Sequence, residues 1–177
     1  MPIITIESIR NAVRDVPDFP KPGIVFKDIT PILLDPALFA RAVDQMAAPF
    51  RGLGVSRVVA IESRGFILGA PIALALRAGL VPVRKPGKLP AAAERVEYEL
   101  EYGTDALEMH RDAIGTTDLV LVVDDVLATG GTAAAAGRLA GMQGATVAGY
   151  SFLLELGFLG GRERLGRARV EALLQYA

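Results

Sequence analysis

The sequence contains no cysteine and a single histidine, His110, among its 177 residues. Without cysteine the chain can form no disulfide, no thiolate nucleophile and no cysteine-ligated metal site. One histidine likewise excludes a histidine-cluster metal site within a single chain. These two absences remove the metal sites and nucleophiles that depend on cysteine or on several histidines.

Net charge is also nearly absent, because 19 basic and 20 acidic residues leave a formal charge of −1. Such a balance does not favour a nucleic-acid or membrane surface. The N-terminal residues lack a basic start followed by a long apolar run, so no signal peptide is predicted. The most apolar stretch, residues 66–76, is too short to span a bilayer. We therefore expect a cytoplasmic protein that binds neither nucleic acid nor membrane.

Apolar strand patterns alternate along the chain with helical patterns. Strands are predicted at residues 58–61, 80–83, 96–102, 119–123, 145–154 and 170–174. Helices are predicted near residues 6–13, from Pro36 to about Gly52, from Gly65 to Gly79, and from Gly131 to about Gly144. Irregular structure is predicted for residues 17–31, a mobile basic segment for 84–95 and a loop for 124–131.

This alternation predicts an α/β fold with a largely parallel central sheet flanked by helices. The length suits one domain, residues 1–177, and we find no internal repeat or linker. In open parallel sheets, ligands bind beyond the carboxyl ends of the strands. Two segments are therefore expected at a site, residues 62–65 and residues 124–132.

The second of these segments is the most informative. A buried strand delivers Asp124 and Asp125 to the sheet edge, and the loop that follows opens a helix. Its glycines let the backbone approach a phosphate, whose charge the amide groups and the helix N-terminus stabilise. Carboxylates beside such a cradle suit sugar hydroxyls or a bound cation. From these residues alone, a capped turn with solvated acids remains an alternative, and the common nucleotide-binding motifs are absent.

The segment Val122-Val123-Asp124-Asp125-Val126-Leu127-Ala128-Thr129-Gly130-Gly131-Thr132 resembles the phosphoribosyl-pyrophosphate signature of type I phosphoribosyltransferases. Other segments narrow the resemblance to the adenine phosphoribosyltransferase family. They match its base-binding segment, pyrophosphate loop, mobile loop, catalytic glutamate segment and chain ending at residues 19–31, 62–66, 84–90, 100–103 and 173–176. The match covers nearly the whole chain in the same order.

The resemblance implies a role for each matched position. Asp124 and Asp125 are expected to face the ribose hydroxyls. The expected cradle of the 5′-phosphate consists of Ala128, Thr129, Gly130, Gly131 and Thr132. The residues expected to neutralise the pyrophosphate are Arg64, Arg84, Lys85 and Lys88. Mg²⁺ is expected to arrive with the substrate, held by its oxygens and water, with no metal cage built by the protein.

The resemblance also selects the residues around the base. The expected adenine contacts are Val25, Phe26, Lys27, Val126 and Leu156, although ordinary core packing is an alternative for the last two. Three glutamates share one face of the strand predicted at 96–102, and spacing cannot choose among them. Only the resemblance selects Glu101 as the catalytic residue. It further implies a small N-terminal hood over residues 1–34, a cis peptide between Glu62 and Ser63, and a homodimer.

The predicted activity is purine salvage, in which the 5-phosphoribosyl group of phosphoribosyl pyrophosphate passes to adenine. The products are AMP and pyrophosphate. Three alternatives remain at this point, of which a plain structural α/β domain would leave the basic loop and the acidic pair unexplained. A phosphoribosyltransferase for another base would share the Asp124-Asp125 loop but not the N-terminal segment. A phosphoribosyl-pyrophosphate-sensing regulator would use the same fold as a binding module.

Overall fold

A computed structural model of the chain describes residues 4–99 and 103–177, which divide into two compact units between Gln45 and Met46. The first unit contains α1 (Ile6–Ala12), β1 (Arg14–Pro17), β2 (Val25–Asp28), α2 (Thr30–Leu34) and most of α3 (Pro36–Ala47). The second unit contains β3 (Arg57–Ile61), α4 (Arg64–Leu76), β4 (Gly79–Val83), β5 (Ala93–Glu99), β6 (Thr104–His110), β7 (Leu119–Leu127), α5 (Gly131–Met142), β8 (Thr146–Leu156) and β9 (Val170–Tyr176).

In the first unit, β1 and β2 form an antiparallel pair, and two ion pairs join the two strands. Arg14 Nη2 lies 2.6 Å from Asp28 Oδ2, and Lys27 Nζ lies 2.7 Å from Asp15 Oδ1. The Thr30 hydroxyl and amide, together with Arg14, lower the pKa of Asp28 to about 2. The ionised Asp28 therefore links the end of β2 to the first turn of α2.

The second unit is built on a five-stranded parallel sheet with the order β4-β3-β7-β8-β9. The central strands are apolar because they are covered on both faces, and Val120 to Val123 are fully buried. Helix α4 packs on β3 and β7, and α5 packs on β7, β8 and the β5–β6 pair. The predicted α/β fold with a largely parallel sheet flanked by helices is confirmed.

One irregularity interrupts the pairing of β7 with β8. Val120 lies opposite Val147, but the next residue, Leu121, lies opposite Gly149. Ala148 is therefore an extra residue in β8, which is the definition of a β-bulge. From there to Glu155, the register between β7 and β8 continues with the shifted spacing.

An antiparallel hairpin of β5 and β6 stands beside this sheet. A backbone bridge between Arg84 and Glu108 ties it to the chain just after β4. On β5, Tyr98 is buried whereas Glu97 and Glu99 are exposed, so the predicted alternation of faces is confirmed for these residues.

Several boundaries differ from those predicted. The stretch 17–31 is not irregular throughout, because it contains β2 and the start of α2. Strand β2 has only four residues and is flanked by proline and glycine, so any two-residue alternation in it is too short to recognise in the sequence. The predicted loop 124–131 is wrong in its first half, because Val126 and Leu127 continue β7. The basic segment 84–95 overlaps β5, and β6, which ends at His110, was not predicted at all.

The division at Gln45 and Met46 does not test the predicted single domain or the hood at 1–34, and both stay predictions. Among the described residues, no helix is both long enough and apolar enough to cross a membrane.

Close contact between α4 and the sheet depends on Gly69. A Cβ atom built on Gly69 would lie 2.6 Å from Ala60 Cβ on β3, far inside van der Waals contact. We expect Gly69→Ala to lower the free energy of unfolding by about 1–3 kcal/mol through overpacking. Gly141→Ala in α5 is the matched control, since nothing lies within 4 Å of its built Cβ.

Denaturant unfolding measures both changes. We expect Gly141→Ala to raise the free energy of unfolding, because alanine is favoured over glycine in a helix by about 0.5–1 kcal/mol. Equal stabilities of the Gly69→Ala and Gly141→Ala proteins would show that the α4–β3 contact is not tight.

Candidate active site

The carboxyl end of β7 carries the two adjacent acids. Asp124 lies opposite Phe152 of β8, and its Oδ1 accepts a hydrogen bond of 2.9 Å from the Asp125 amide. Asp125 is only 5% exposed, whereas Asp124 is half-buried. Burial raises the pKa of Asp124 well above its ordinary value, and the neighbouring Asp125 carboxylate acts in the same direction. Asp124 therefore holds a proton at a higher pH than an ordinary carboxyl group.

Arg64 joins this strand end to the neighbouring one. It is the first residue of α4, which follows β3 after a short turn, and its Nε donates a hydrogen bond to Asp125 Oδ2. Gly65 makes the approach possible, because a Cβ there would lie 2.9 Å from Asp124 Oδ1. The two segments predicted at the sheet edge, residues 62–65 and 124–132, thus meet as expected.

A small cavity lies where β7 passes into α5. Its volume is about 70 Å³. The residues that line it are Asp124, Val126, Leu127, Ala128, Thr129, Gly130, Thr132 and Ala133. Gly130 has a φ of 79°, a conformation that glycine adopts at little cost, and it directs the chain into α5. The cavity thus combines hydroxyl groups, a helix N-terminus and a carboxyl group, and can hold an anion beside sugar hydroxyls.

The basic segment contacts Glu62, which belongs to the same turn as Arg64. Glu62 Oε2 accepts hydrogen bonds of 3.0 Å from Arg84 Nε and 3.1 Å from the Lys85 amide. Lys88 Nζ lies 3.6 Å from Glu62 Oε1. Burial alone would raise the pKa of Glu62, but these hydrogen bonds and the Lys88 charge outweigh it and lower the pKa.

The Lys85 side chain has a partner of its own. Its Nζ donates to Asp105 Oδ2 on β6 and to the Tyr98 hydroxyl, the latter at 3.2 Å. Burial alone would lower the pKa of Lys85, but Asp105 and Tyr98 outweigh it and raise the pKa. Two carboxylates, Glu62 and Asp105, therefore hold three of the four cations predicted to bind pyrophosphate, namely Arg84, Lys85 and Lys88.

The predicted base-binding residues fall in both units. Val25, Phe26 and Lys27 form most of β2 in the first unit, where Phe26 packs edge-on against Phe19 at 5.3 Å between ring centroids. Val126 on β7 lines the small cavity of the second unit, and Leu156 ends β8 opposite Tyr176.

The predicted catalytic residue, Glu101, lies outside the described residues, so its role stays a prediction. The predicted cis peptide between Glu62 and Ser63 is confirmed. A second cis bond, between Phe19 and Pro20, was not predicted. Within residues 4–99 and 103–177, no three metal-ligating side chains come together to hold a metal ion.

Sequence reasoning missed Glu62 and Asp105 as the residues that hold the basic segment. For Glu62 a signal existed, because it belongs to the turn that was assigned to the site. For Asp105 there was none, because its approach to Lys85 depends on the pairing of β5 with β6, in which Tyr98 lies opposite Asp105.

Comparison with known proteins identifies the class to which this fold and site belong. The family model of the phosphoribosyl transferase domain matches residues 35–155. This range includes the whole of β3 to β7, the acid pair and the loop into α5. The second unit is therefore the core of a phosphoribosyl transferase domain.

Individual relatives narrow the class further. The adenine phosphoribosyltransferase of Myxococcus xanthus is 61% identical over 171 residues, which are 97% of this chain and 93% of that protein. The solved adenine phosphoribosyltransferase of Thermoanaerobacter pseudethanolicus superposes with a TM-score of 0.95 at 48% identity, over 97% of this chain and 100% of that one. The chain belongs to the adenine phosphoribosyltransferase family.

The Saccharomyces cerevisiae adenine phosphoribosyltransferase is a further similar structure. It has a TM-score of 0.90 and 42% identity, over 96% of this chain and 98% of that one. That enzyme was solved in complex with adenine and an imino-altritol bisphosphate.

Proposed function

We propose that this chain transfers the 5-phosphoribosyl group from phosphoribosyl pyrophosphate to adenine, giving AMP and pyrophosphate in purine salvage. The observation that carries the proposal is the end of β7, where two adjacent acids lead into an anion cradle at the start of α5. The family membership supports adenine as the base, and so does the adenine bound by the yeast relative.

The 5′-phosphate is proposed to bind in the cavity between β7 and α5. Thr129 and Thr132 would donate hydroxyl hydrogen bonds there, and the amides of Gly130 and Gly131 would add further donors. The N-terminus of α5, a helix of 12 residues, favours the negative charge. Asp124 and Asp125 would repel a doubly charged phosphate, so they are not proposed to contact it. They would instead accept hydrogen bonds from the ribose hydroxyls.

Pyrophosphate is proposed to bind the cations at the ends of β3 and β4. The positions of the cations support this role. Arg64 lies beside Asp125. Arg84 and Lys88 lie beside Glu62, and the ammonium group of Lys85 lies beside Asp105. The pyrophosphate would compete for these cations with Glu62 and Asp105, and its higher charge favours it over a single carboxylate.

The donor set also fits Mg²⁺ bound mainly through the substrate. Asp124 and Asp125 offer the hard oxygens that Mg²⁺ prefers, but too few of them for a protein cage, so substrate oxygens and water would complete the coordination. When bound, the ion would add positive charge near the leaving pyrophosphate.

In the proposed reaction, a ring nitrogen of adenine forms a bond to the anomeric carbon of the sugar. The bond from that carbon to pyrophosphate breaks, its electron pair leaves with the pyrophosphate, and the ring nitrogen loses its proton. The transition state resembles an oxocarbenium ion, as in other glycosyl chemistry. The basic residues stabilise the leaving group, and the acids hold the sugar in line.

Five residues stay predicted adenine contacts, namely Val25, Phe26 and Lys27 on β2, Val126 on β7 and Leu156 on β8. Glu101 is the proposed catalytic residue, through a hydrogen bond or proton transfer at the imidazole edge of the purine. The predicted cytoplasmic location, and the absence of nucleic-acid and membrane partners, stay predictions.

A panel of purines incubated with phosphoribosyl pyrophosphate tests the proposed activity. We expect Mg²⁺-dependent conversion of adenine to AMP, poor turnover of hypoxanthine and guanine, and loss of activity when EDTA removes the metal. Product identification by chromatography is the measurement. Equal turnover of hypoxanthine and adenine would point to the enzyme for another base, and tight substrate binding without any turnover would point to a regulator.

The acid pair is tested by the double substitution Asp124→Asn and Asp125→Asn. We expect kcat/KM for phosphoribosyl pyrophosphate to fall at least about tenfold, since a charge-assisted hydrogen bond is worth roughly 1.5–3 kcal/mol. Asp112→Asn, a change at an exposed turn residue, is the control and should leave kcat/KM unchanged. If the double variant kept the wild-type kcat/KM, the assignment of the acids to the ribose would be wrong.

A homodimer is also proposed, and the exposed apolar residues of α4 and the edge strand β4 support it. Ile67 is 44% exposed, Leu74 81% and Leu80 41%, and such clusters on soluble proteins commonly mark interfaces. Sedimentation should show a dimer for the wild type and a monomer for Leu74→Glu. Met142→Glu, a control at another exposed apolar residue, should stay dimeric. A wild type that sediments as an active monomer would contradict the proposal.

A further inference from the structure

The loop proposed to bind the 5′-phosphate rests directly on the backbone of another segment. A Cβ built on Gly130 would lie 2.3 Å from Gly161 O, and one built on Gly161 would lie 2.1 Å from Ala128 O. No side chain fits between these two segments of the chain, so neither backbone can shift towards the other. The position of Gly161 therefore limits where the loop from Ala128 to Gly130 can lie.

Gly161 is itself held by the residue that follows it. Gly161 opens a short 3₁₀ turn, Gly161–Leu165, whose second residue is Arg162. Arg162 Nε lies 2.8 Å and 2.9 Å from the two carboxylate oxygens of Glu155, and its Nη1 donates a 2.7 Å hydrogen bond to Val170 O. One guanidinium group thus ties this turn to the end of β8 and the start of β9.

Glu155 is a buried charge, with a side chain only 7% exposed. In the sheet it lies opposite Leu127, the last residue of β7 before the loop. A carboxylate this far from water needs a cationic partner, and Arg162 satisfies both of its oxygens. The pair therefore fixes the distance between the sheet and the turn that supports the loop.

We propose that the Glu155–Arg162 ion pair is a positioning device for the 5′-phosphate loop. Neither side chain lines the small cavity, so the pair acts through the backbone contact between Gly161 and the loop. This inference rests on the proposed function, because the loop must bind a phosphate for its position to matter. It predicts a selective effect on the phosphate end of the substrate.

Two separate probes distinguish the two ends of the substrate. Ribose 5-phosphate carries the 5′-phosphate without the pyrophosphate group. Inorganic pyrophosphate carries the pyrophosphate group without the ribose and its 5′-phosphate. In calorimetric titrations, we expect Glu155→Gln to weaken ribose 5-phosphate binding at least about tenfold, on the scale of one lost charge-assisted hydrogen bond. Pyrophosphate binding should stay unchanged, because its proposed cations lie at the ends of β3 and β4. The KM for phosphoribosyl pyrophosphate should rise, while the KM for adenine stays the same.

The matched control is a second ion pair of the same chemistry. Arg169 Nε and Glu171 Oε1 also lie 2.8 Å apart, but both side chains are about as exposed as an ordinary surface pair, at 43% and 40%. Glu171→Gln should therefore leave the binding of both probes unchanged. If Glu155→Gln and Glu171→Gln behaved alike, the positioning role would be excluded.

Arg162→Lys covers the case in which Glu155→Gln fails to fold. A lysine keeps the charge next to Glu155, but its single ammonium group cannot also reach Val170 O with the geometry of a guanidinium. We expect it to weaken ribose 5-phosphate binding less than Glu155→Gln, again with pyrophosphate binding unchanged. The double variant Glu155→Gln with Arg162→Lys should lose little more than Glu155→Gln alone, because the two residues act as one unit.

Two further outcomes overturn the inference, and they are distinguishable. Equal loss of ribose 5-phosphate and pyrophosphate binding in the variants would show general destabilisation rather than positioning of the loop. Wild-type protein that binds neither ribose 5-phosphate nor phosphoribosyl pyrophosphate would remove the proposed function together with the inference.

Discussion

The ion pair between Arg64 and Asp125 is the contact on which the arrangement of the second unit's site depends. Asp125 is almost fully buried at the end of β7, and an ionised carboxylate in that position is costly unless it is paired. Its partner opens α4, so pairing fixes the start of that helix against the neighbouring strand. The turn that contains Glu62 is then fixed as well, and with it the carboxylate around which the basic segment gathers.

Charge is balanced locally as well as over the whole chain. Each cation of the basic segment 84–95 contacts a carboxylate: Arg84 and Lys88 contact Glu62, Lys85 contacts Asp105, and Arg95 contacts Glu97. Such an arrangement keeps cations close together without mutual repulsion in the absence of a competing anion. A ligand with several negative charges gains from the exchange, whereas a singly charged one gains little, so the carboxylates favour highly charged ligands.

The features predicted correctly from sequence are those that depend on neighbouring residues. The run from Leu119 to Val123 is too apolar for an exposed segment, so β7 and the acids after it could be placed from their order alone. The resemblance to a family added the cis bond between Glu62 and Ser63, which no propensity would predict.

The features missed depend on contacts between distant segments. Strand β6 forms because β5 lies beside it, and its own sequence alternates only weakly. The Lys85–Asp105 contact follows from that pairing, across 20 residues of sequence. The tight contact of Gly130 with Gly161 likewise could not be read from glycine-rich segments that look like ordinary turns.

The extra residue at Ala148 has a consequence for the far end of β8. Successive side chains of a strand point to opposite faces, so the insertion of one residue exchanges the faces of all that follow. With the bulge, Leu127 lies opposite Glu155; with uninterrupted pairing from Val120 and Val147, it would lie opposite Leu154. A leucine would then occupy the place of the carboxylate that meets Arg162. The phase of the strand, set seven residues earlier and roughly 23 Å away at 3.3 Å per residue, thus determines whether a charge or a hydrocarbon supports the phosphate loop.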